Sequence, residues 1–199
     1  MIWTSPRFSV ARPIDTAQRV QPSAVRFYGD PPTHCTFPAL EALGLPHAVT
    51  TRHCPGVAPP SDPVSPFSPP SHALSAPLGL DLSRTAYLRQ VHGSDVALVD
   101  GYRGGFAGSG DILVTRTPEL PLAIFTADCL GIILFDPGRR LLAVAHVGWR
   151  GTVKGAAGAA AAALVREGAR PADLIAAIAT QGYYNFLSGK FCEHVRRNN

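Results

Sequence analysis

Short apolar runs separated by turn residues dominate the chain from about residue 87 onward. Gly, Pro and Asp stand between the runs, as is typical of successive β-strands. The runs are residues 96–99, 112–115, 122–125, 131–135, 141–145 and 174–179. Their nearly continuous apolar character predicts a central sheet covered on both faces. Asp-Pro-Gly at 136–138 predicts a turn between two antiparallel strands.

One alanine-rich segment, residues 152–167, predicts a single helix, since Ala is the best helix former. Thr152 can cap its start, and Gly168 followed by Pro171 ends it. The pattern as a whole predicts an α/β chain of the mixed α+β kind. We expect largely antiparallel or mixed sheets flanked by helices.

The chain before residue 87 has weaker patterns. Residues 37–45 predict a short helical or turn segment, and residues 47–52 predict a strand. Eight prolines between Pro55 and Pro77 predict an irregular loop, because proline blocks helix interiors and central strands. Residues 1–36 predict a basic, poorly ordered extension ahead of one domain at 37–199, because they show little apolar periodicity. Their arginines are Arg7, Arg12, Arg19 and Arg26.

Composition is consistent with one domain that has a sizeable core, at 199 residues and 46% hydrophobic content. The formal net charge of +4 is modest and comes with no nucleic-acid-binding motif, so we expect no nucleic-acid partner. No apolar run approaches the roughly 20 residues that cross a bilayer, and no secretory signal is visible. We therefore expect a cytoplasmic protein without a membrane partner, with Cys35, Cys54, Cys129 and Cys192 as reduced thiols.

Three potential metal ligands stand at the polar ends of strand-like segments: His92, Cys129 and His146. Separated imidazole and thiolate ligands suit a catalytic zinc, which takes three protein ligands and leaves its fourth position for water or substrate. The same set would also hold copper. Taken one at a time, each residue is more typical of core packing or ordinary hydrogen bonding than of a metal site.

Four motifs surround these residues: Gln-Val-His-Gly at 90–93, Gly-Asp-Ile-Leu-Val-Thr at 110–115, Thr-Ala-Asp-Cys at 126–129 and His-Val-Gly-Trp-Arg-Gly at 146–151. In these motifs and their order the chain resembles the YfiH-type laccase-domain family, whose members are called peptidoglycan editing factor, polyphenol oxidase or purine nucleoside phosphorylase. The resemblance runs from about Phe37 to Ala179. It implies a YfiH-like layered sandwich, and it implies zinc binding by His92, Cys129 and His146.

The resemblance also implies a zinc-dependent purine nucleoside enzyme, whose partners are a nucleoside and phosphate. Such an enzyme cleaves adenosine, inosine or 5′-methylthioadenosine to the base and a ribose 1-phosphate or its methylthio form, and deaminates adenosine. One alternative is peptidoglycan precursor editing, in which a misincorporated amino acid is removed. Another is a non-catalytic, partner-binding remnant, because the sequence after Ala179 departs from the family pattern and indicates a C-terminally incomplete domain.

A multicopper oxidase is disfavoured by ligand count. The chain has seven His, whereas a blue-copper site with a trinuclear cluster needs about ten. Met1 is its only Met, and the axial ligand of a blue-copper site is usually Met.

Two arginines are candidates for phosphate binding. Arg150 lies beside the N-terminus of the predicted helix, where backbone N–H groups and the helix dipole favour an anion and a guanidinium grips phosphate bidentately. A surface ion pair is the alternative. Arg52 resembles the Thr-Arg of the family and is the second candidate.

The remaining site candidates surround Cys129 and His146. Asp128 points away from Cys129 if the segment is extended, yet it can turn to orient a ligand histidine, transfer a proton or cap the following loop. Trp149 can stack on a base or belong to the core. Gly148 and Gly151 are, with Trp149, the predicted substrate-binding residues. Asp111 and Thr115, by contrast, are interpreted as scaffold positions on one face of a strand.

Overall fold

The computed structural model describes residues 1–4, 25–57 and 65–180. Within these ranges the strands form a seven-stranded and a five-stranded sheet. The strands are β1 (Ile2–Thr4), β2 (Arg26–Tyr28), β3 (His34–Thr36), β4 (His47–Thr50), β5 (Ala86–Arg89), β6 (Val96–Leu98), β7 (Gly105–Ser109), β8 (Ile112–Thr115), β9 (Leu122–Ile124), β10 (Leu130–Asp136), β11 (Leu141–Val147) and β12 (Ile175–Thr180).

Both sheets are mixed and largely antiparallel, which confirms the predicted fold class. The seven-stranded sheet has the order β2-β3-β4-β1-β9-β5-β7 and becomes parallel only from β9 through β5 to β7. The five-stranded sheet has the order β12-β10-β11-β8-β6, with one parallel pair between β8 and β6. The tight connection after Asp136 joins β10 to β11 in register, as the Asp-Pro-Gly sequence predicts.

The largest hydrophobic core lies where the two sheets face each other. Ile2 and Ile124 enter it from the seven-stranded sheet, and Ile133 and Val144 enter it from the five-stranded sheet, all essentially without solvent exposure. Fully burying such a side chain contributes about 1.5–3 kcal/mol. Close packing is evident at Gly131, where an added Cβ would overlap the side chain of Ile2.

Four helices complete the described part of the chain: α1 (Pro38–Glu41), α2 (Pro69–Ser75), α3 (Trp149–Val153) and α4 (Ala156–Arg166). Helix α4 covers the outer face of the five-stranded sheet with small side chains, among them Ala156, Ala160 and Ala163. Every residue of β11 is therefore buried, and its run is apolar on both faces. No helix in the described residues has the length and apolarity that crossing a membrane requires.

The prediction of one helix over 152–167 is wrong in its start and its continuity. The helical segment begins at Trp149, directly after β11, and is interrupted between α3 and α4. Gly155 adopts a left-handed conformation at this break, with φ of 75°, which glycine tolerates without steric cost.

The proline-rich stretch also differs from its prediction as an irregular loop. Helix α2 forms inside it, with Pro69 and Pro70 in its first turn. The missing proline N–H costs nothing there, because the first N–H groups of a helix have no partner within the helix.

The predicted poorly ordered extension over 1–36 is wrong wherever the structure describes it. Strand β1 lies inside the seven-stranded sheet between β4 and β9, and β2 and β3 form one end of that sheet. Strands of three residues are too short to show a period, and the pairing partners of β1 lie far along the chain. Arg7, Arg12 and Arg19 lie outside the described residues, as does everything after Thr180, so the expected C-terminal incompleteness stays a prediction.

Candidate metal centre

The sheet topology brings the three predicted ligands to one edge of the molecule. Parallel strands β5 and β9 both run toward this edge, and their continuations carry His92 and Cys129. Cys129 directly precedes β10, whose antiparallel partner β11 ends beside it, with Gly131 opposite His146. Ligands that are distant in sequence therefore converge because of strand direction and register.

His92, Cys129 and His146 form a compact cluster. Their ligand atoms all lie within 4.8 Å of one another. The two imidazole rings are 4.8 Å apart between centroids and nearly perpendicular, at 83°. His146 is buried, whereas His92 and Cys129 are half-buried, so one side of the cluster is open.

The donor set fits a tetrahedral zinc ion. Zn–N and Zn–S bonds of about 2.0–2.3 Å place ligand atoms roughly 3.3–3.7 Å apart. The present separations, all within 4.8 Å, exceed those values by about 1.5 Å at most. The open side leaves room for a fourth ligand, as in catalytic rather than structural zinc sites.

Asp111 orients His146 for metal binding. Its Oδ1 lies 2.8 Å from Nδ1 of His146, and both side chains are almost fully buried. The Nδ1–H group donates to the carboxylate, which leaves the Nε2 lone pair for a metal. The backbone carbonyl of Asp111 also accepts from the His146 N–H at 2.8 Å, so this pair is joined twice.

The same carboxylate holds the segment that bears His92. It accepts the backbone N–H groups of Val91, His92 and Gly93 at 3.2, 3.0 and 2.7 Å. His92 has a φ of 56°, a left-handed conformation that costs a non-glycine residue about 1–3 kcal/mol. The hydrogen bonds from Asp111 stabilise this conformation, so one residue fixes two of the three ligand segments.

Hydrogen bonding also keeps Asp111 ionised. Burial acts to raise its pKa, but the hydrogen bonds from His146, Gly93 and Val91 outweigh burial and hold that pKa below its ordinary value. Sequence reasoning assigned Asp111 to the scaffold. The sequence signal available for Asp111 was its position after Gly110 at the start of an apolar run. That signal does not identify its hydrogen-bond partners, which lie 18 to 35 residues away.

Orienting a ligand histidine was one of the predicted roles of Asp128, and at His146 Asp111 occupies that position. Asp128 is exposed and accepts a long contact from the thiol of Cys129, at 3.7 Å. In the metal-free protein, burial and then the nearby Asp128 charge raise the pKa of Cys129. A bound cation favours the thiolate and opposes both effects.

Gly148 and Gly151 permit close approach of the ligand segments. A Cβ on Gly148 would lie 2.7 Å from the Cys129 sulfur and 3.2 Å from Cδ2 of His92. A Cβ on Gly151 would lie 3.3 Å from the carbonyl oxygen of Gly93. The absent side chain at Gly148 is therefore what makes room for the cluster.

Trp149 and Arg150 project from the start of α3, next to the cluster. Trp149 is 72% exposed, so it does not belong to the core, which was one of its two interpretations. The guanidinium carbon of Arg150 lies 5.2 Å from the centroid of the Trp149 ring, within the range of a cation–π contact. An exposed aromatic plate and a cation thus stand together beside the three ligands.

Arg52 is exposed and lies two residues past the end of β4. Strands β4 and β9 point the same way, since both pair antiparallel with β1 between them. Arg52 therefore emerges at the same edge as the Cys129 segment, two strand spacings or about 10 Å from β9. The described structure shows no contact between Arg52 and the cluster.

Comparison with known proteins identifies the family. A family model described as multi-copper polyphenol oxidoreductase laccase matches residues 70–182, more than half of the chain. The chain belongs to this family, which confirms the resemblance to YfiH-type proteins.

The similar proteins are named as nucleoside enzymes. A purine nucleoside phosphorylase of Deinococcus radiodurans is 40% identical over 153 residues, which cover 71% of this chain and 59% of that protein. Adenosine deaminase RL5, from an unknown prokaryotic organism, is 36% identical over 104 residues, covering 48% of this chain and 40% of that protein. The chain thus spans about half the length of these relatives.

A solved structure shows the same fold. The crystal structure of YlmD from Geobacillus stearothermophilus superposes with a TM-score of 0.57 at 28% identity, covering 67% of this chain and 57% of that chain. The layered, mixed sheet architecture described above is therefore that of its family.

Proposed function

We propose that this chain is a zinc-dependent purine nucleoside enzyme with phosphorylase and deaminase activities. One observation carries the proposal: the His92, Cys129 and His146 cluster, open on one side and oriented by Asp111. The names of the similar proteins supply the substrate class.

Zinc is favoured over a multicopper centre by the donor set. Within the described residues one cluster of three ligands is present, built from two imidazoles and one thiolate. Seven histidines in the whole chain are too few for a blue-copper site and a trinuclear cluster, which need about ten. A single copper ion in the same cluster is the alternative occupant, and metal analysis distinguishes the two.

A bound zinc ion would supply Lewis acidity and lower the pKa of a water ligand toward neutrality. In the neutral imidazole of His146, the hydrogen bond to Asp111 selects the tautomer with its proton on Nδ1, so Nε2 would be the atom that faces the metal. Asp128, exposed beside the Cys129 sulfur, is placed to take a proton from attacking water and deliver it to a leaving amino group. In the deamination of adenosine, water and the nucleoside give inosine and ammonia.

Phosphorolysis makes a different demand on the same site. The bond from C1′ to the base breaks while a phosphate oxygen bonds to C1′, and positive charge develops on the sugar. Trp149 presents an exposed face on which a purine can stack. Arg150, beside that ring, supplies a planar fork that matches phosphate, and Arg52 approaches the same edge as a second cation.

The test is product identification with purified protein. Adenosine, inosine and 5′-methylthioadenosine are each incubated with and without phosphate, before and after zinc is removed by a chelator. Ribose 1-phosphate that forms only with phosphate establishes phosphorolysis, and ammonia with inosine establishes deamination. Protein that carries one zinc equivalent yet turns over none of the three nucleosides contradicts the proposal and favours precursor editing or a binding role.

A further inference from the structure

We infer that Gln90 is a positioning residue that holds the Cys129 segment against the His92 segment, and so sets the affinity of the metal centre. The inference rests on the metal site proposed above and adds a residue to which no role has been assigned. Gln90 lies two residues before His92 and is half-buried.

The side-chain amide of Gln90 bonds to both backbone groups of Phe125. Its Nε2 donates to the Phe125 carbonyl at 2.7 Å, and its Oε1 accepts the Phe125 N–H at 2.7 Å. The amide orientation follows from these partners, because an N–H group must face an acceptor and a carbonyl must face a donor. Both hydrogen-bonding groups of Phe125 are thereby satisfied by one side chain.

The location of this pair gives it its role. Backbone pairing between β5 and β9 covers Ala86 with Leu122 and Tyr87 with Ala123. The pairing of these two strands ends there, and the two segments continue toward His92 and Cys129. The Gln90 side chain bridges them past the last of these pairs, where the ladder of backbone hydrogen bonds no longer joins the two segments.

The far end of the bridge is itself anchored. The ring of Phe125 packs against Phe67 at 6.2 Å and against Tyr87 at 6.4 Å between centroids. Gln90 therefore ties the root of the His92 segment to a fixed point four residues before Cys129. Asp111 joins the His92 segment to His146, and Gln90 joins it to the Cys129 segment, so two polar side chains connect all three ligands.

Glutamine meets both requirements of this position. Leucine has a similar size but leaves the N–H and C=O of Phe125 without their partner. Glutamate keeps the length and one bond, but its second oxygen faces the Phe125 carbonyl. Residues that support metal ligands in this way change metal affinity by about 10–100-fold when replaced.

The experiment compares zinc affinity in the wild type, Gln90→Leu and Gln90→Glu by competition with a chelator. Both variants are expected to bind zinc about 10–100-fold more weakly. In the cobalt-substituted proteins, the thiolate-to-cobalt charge-transfer band of Gln90→Leu should lose intensity relative to the d–d bands, because the Cys129 segment has moved away. A role in general stability alone would leave this ratio unchanged.

Arg89→Met is the matched control. Arg89 directly precedes Gln90 at the end of β5, and its Nε donates to Ser109 Oγ on the neighbouring strand β7, at 3.2 Å. Its zinc affinity should equal that of the wild type. Gln90 variants within threefold of the wild type, or an equal loss in Arg89→Met, overturn the inference. If Gln90→Leu does not fold, the isosteric Gln90→Glu carries the test. A wild type that binds no zinc contradicts the metal site as well, whereas normal zinc binding in the Gln90 variants alone contradicts only the role of Gln90.

Discussion

Asp111 and His146 are joined by two hydrogen bonds of 2.8 Å each, one between side chains and one between backbones. The side-chain bond sets the tautomer of the histidine, and the backbone bond sets its position along β11. Together the two bonds fix both the direction of the Nε2 lone pair and the place of the His146 ring.

Replacing Asp111 by Asn should weaken zinc binding by about 10–100-fold. The amide has one acceptor oxygen where the carboxylate has two, so it cannot serve His146 and all three backbone N–H groups. Each buried donor left without a partner costs about 1–3 kcal/mol, and the free energy of unfolding should fall as well. Chelator competition and urea denaturation measure the two effects. Asp100→Asn, which removes a carboxylate that bonds to Arg116 away from the cluster, should leave zinc affinity unchanged.

Replacing Cys129 by Ala removes one of three ligands, and bound zinc should fall well below one equivalent. The fold should persist, because Cys129 is half-buried and belongs to none of the hydrophobic core clusters. Elemental analysis gives the metal content, and circular dichroism gives the fold. Cys54→Ala, at another half-buried cysteine, should retain full zinc content. Unchanged zinc in Cys129→Ala would remove Cys129 from the site.

Replacing Gly148 by Ala should lower zinc affinity by roughly tenfold or more, with little change in the free energy of unfolding. The new methyl would lie 2.7 Å from the Cys129 sulfur, so the sulfur must shift from its place in the cluster. Gly158→Ala tests the same change in open space within α4, where it should stabilise the protein by about 0.5–1 kcal/mol. Equal zinc affinity in both variants would mean that the site tolerates the methyl.

Replacing Arg150 by Ala should depress inosine phosphorolysis and raise the KM for phosphate. A charge-assisted contact to an anion is worth about 1.5–3 kcal/mol, or roughly ten- to more than a hundredfold in kcat/KM. Adenosine deamination uses water and should lose much less. Lys at this position should rescue phosphorolysis only in part, since a point charge lacks the planar fork. Arg166→Ala, an exposed arginine in the last turn of α4, is the control. Equal losses in the two reactions would assign Arg150 a structural role.

His47 should make stability depend on pH. Its Nε2 accepts the N–H of Phe37 at 2.7 Å, and burial, partly opposed by the Leu45 carbonyl, lowers its pKa below 6.5. The unfolded chain therefore binds more protons than the folded chain just below pH 6.5, and stability falls as the pH drops through the folded pKa. Urea denaturation from pH 8 to 5 should show a smaller fall for His47→Gln than for the wild type. His53→Gln, at an exposed histidine, should follow the wild type, and parallel curves for His47→Gln would exclude the effect.

Local pattern was enough to predict the strands whose two faces are both covered. Residues 112–115 and 141–145 are such runs, and the structure buries all of them. The break at Gly155 was not predictable, because a glycine inside a helix costs only about 1 kcal/mol and tertiary packing decides the outcome. Strand β1 was also missed, because its three residues gain their stability from partners at Val49 and Ile124, far along the chain.

The grouping of His92, Cys129 and His146 could be predicted because each stands in a recognisable motif at a strand end. The residues that hold these three side chains in place could not be predicted. Asp111 acts through hydrogen bonds to residues 18 to 35 positions away. The sequence alone does not show which of its acidic residues faces a histidine. The same holds for Gly148, whose importance depends on a sulfur from another strand.

The place of β1 between β4 and β9 makes the seven-stranded sheet depend on contacts between distant parts of the chain. Ile2 pairs with both Val49 and Ile124, so the seven-stranded sheet closes only after distant parts of the chain have come together. Contacts of this separation require loop closure before they stabilise anything, and folds rich in them assemble slowly. In a zinc finger the ion organises a short peptide around itself. The three candidate ligands here lie on segments that the assembled sheets bring together, so an ion in the proposed site would bind after these strands have paired.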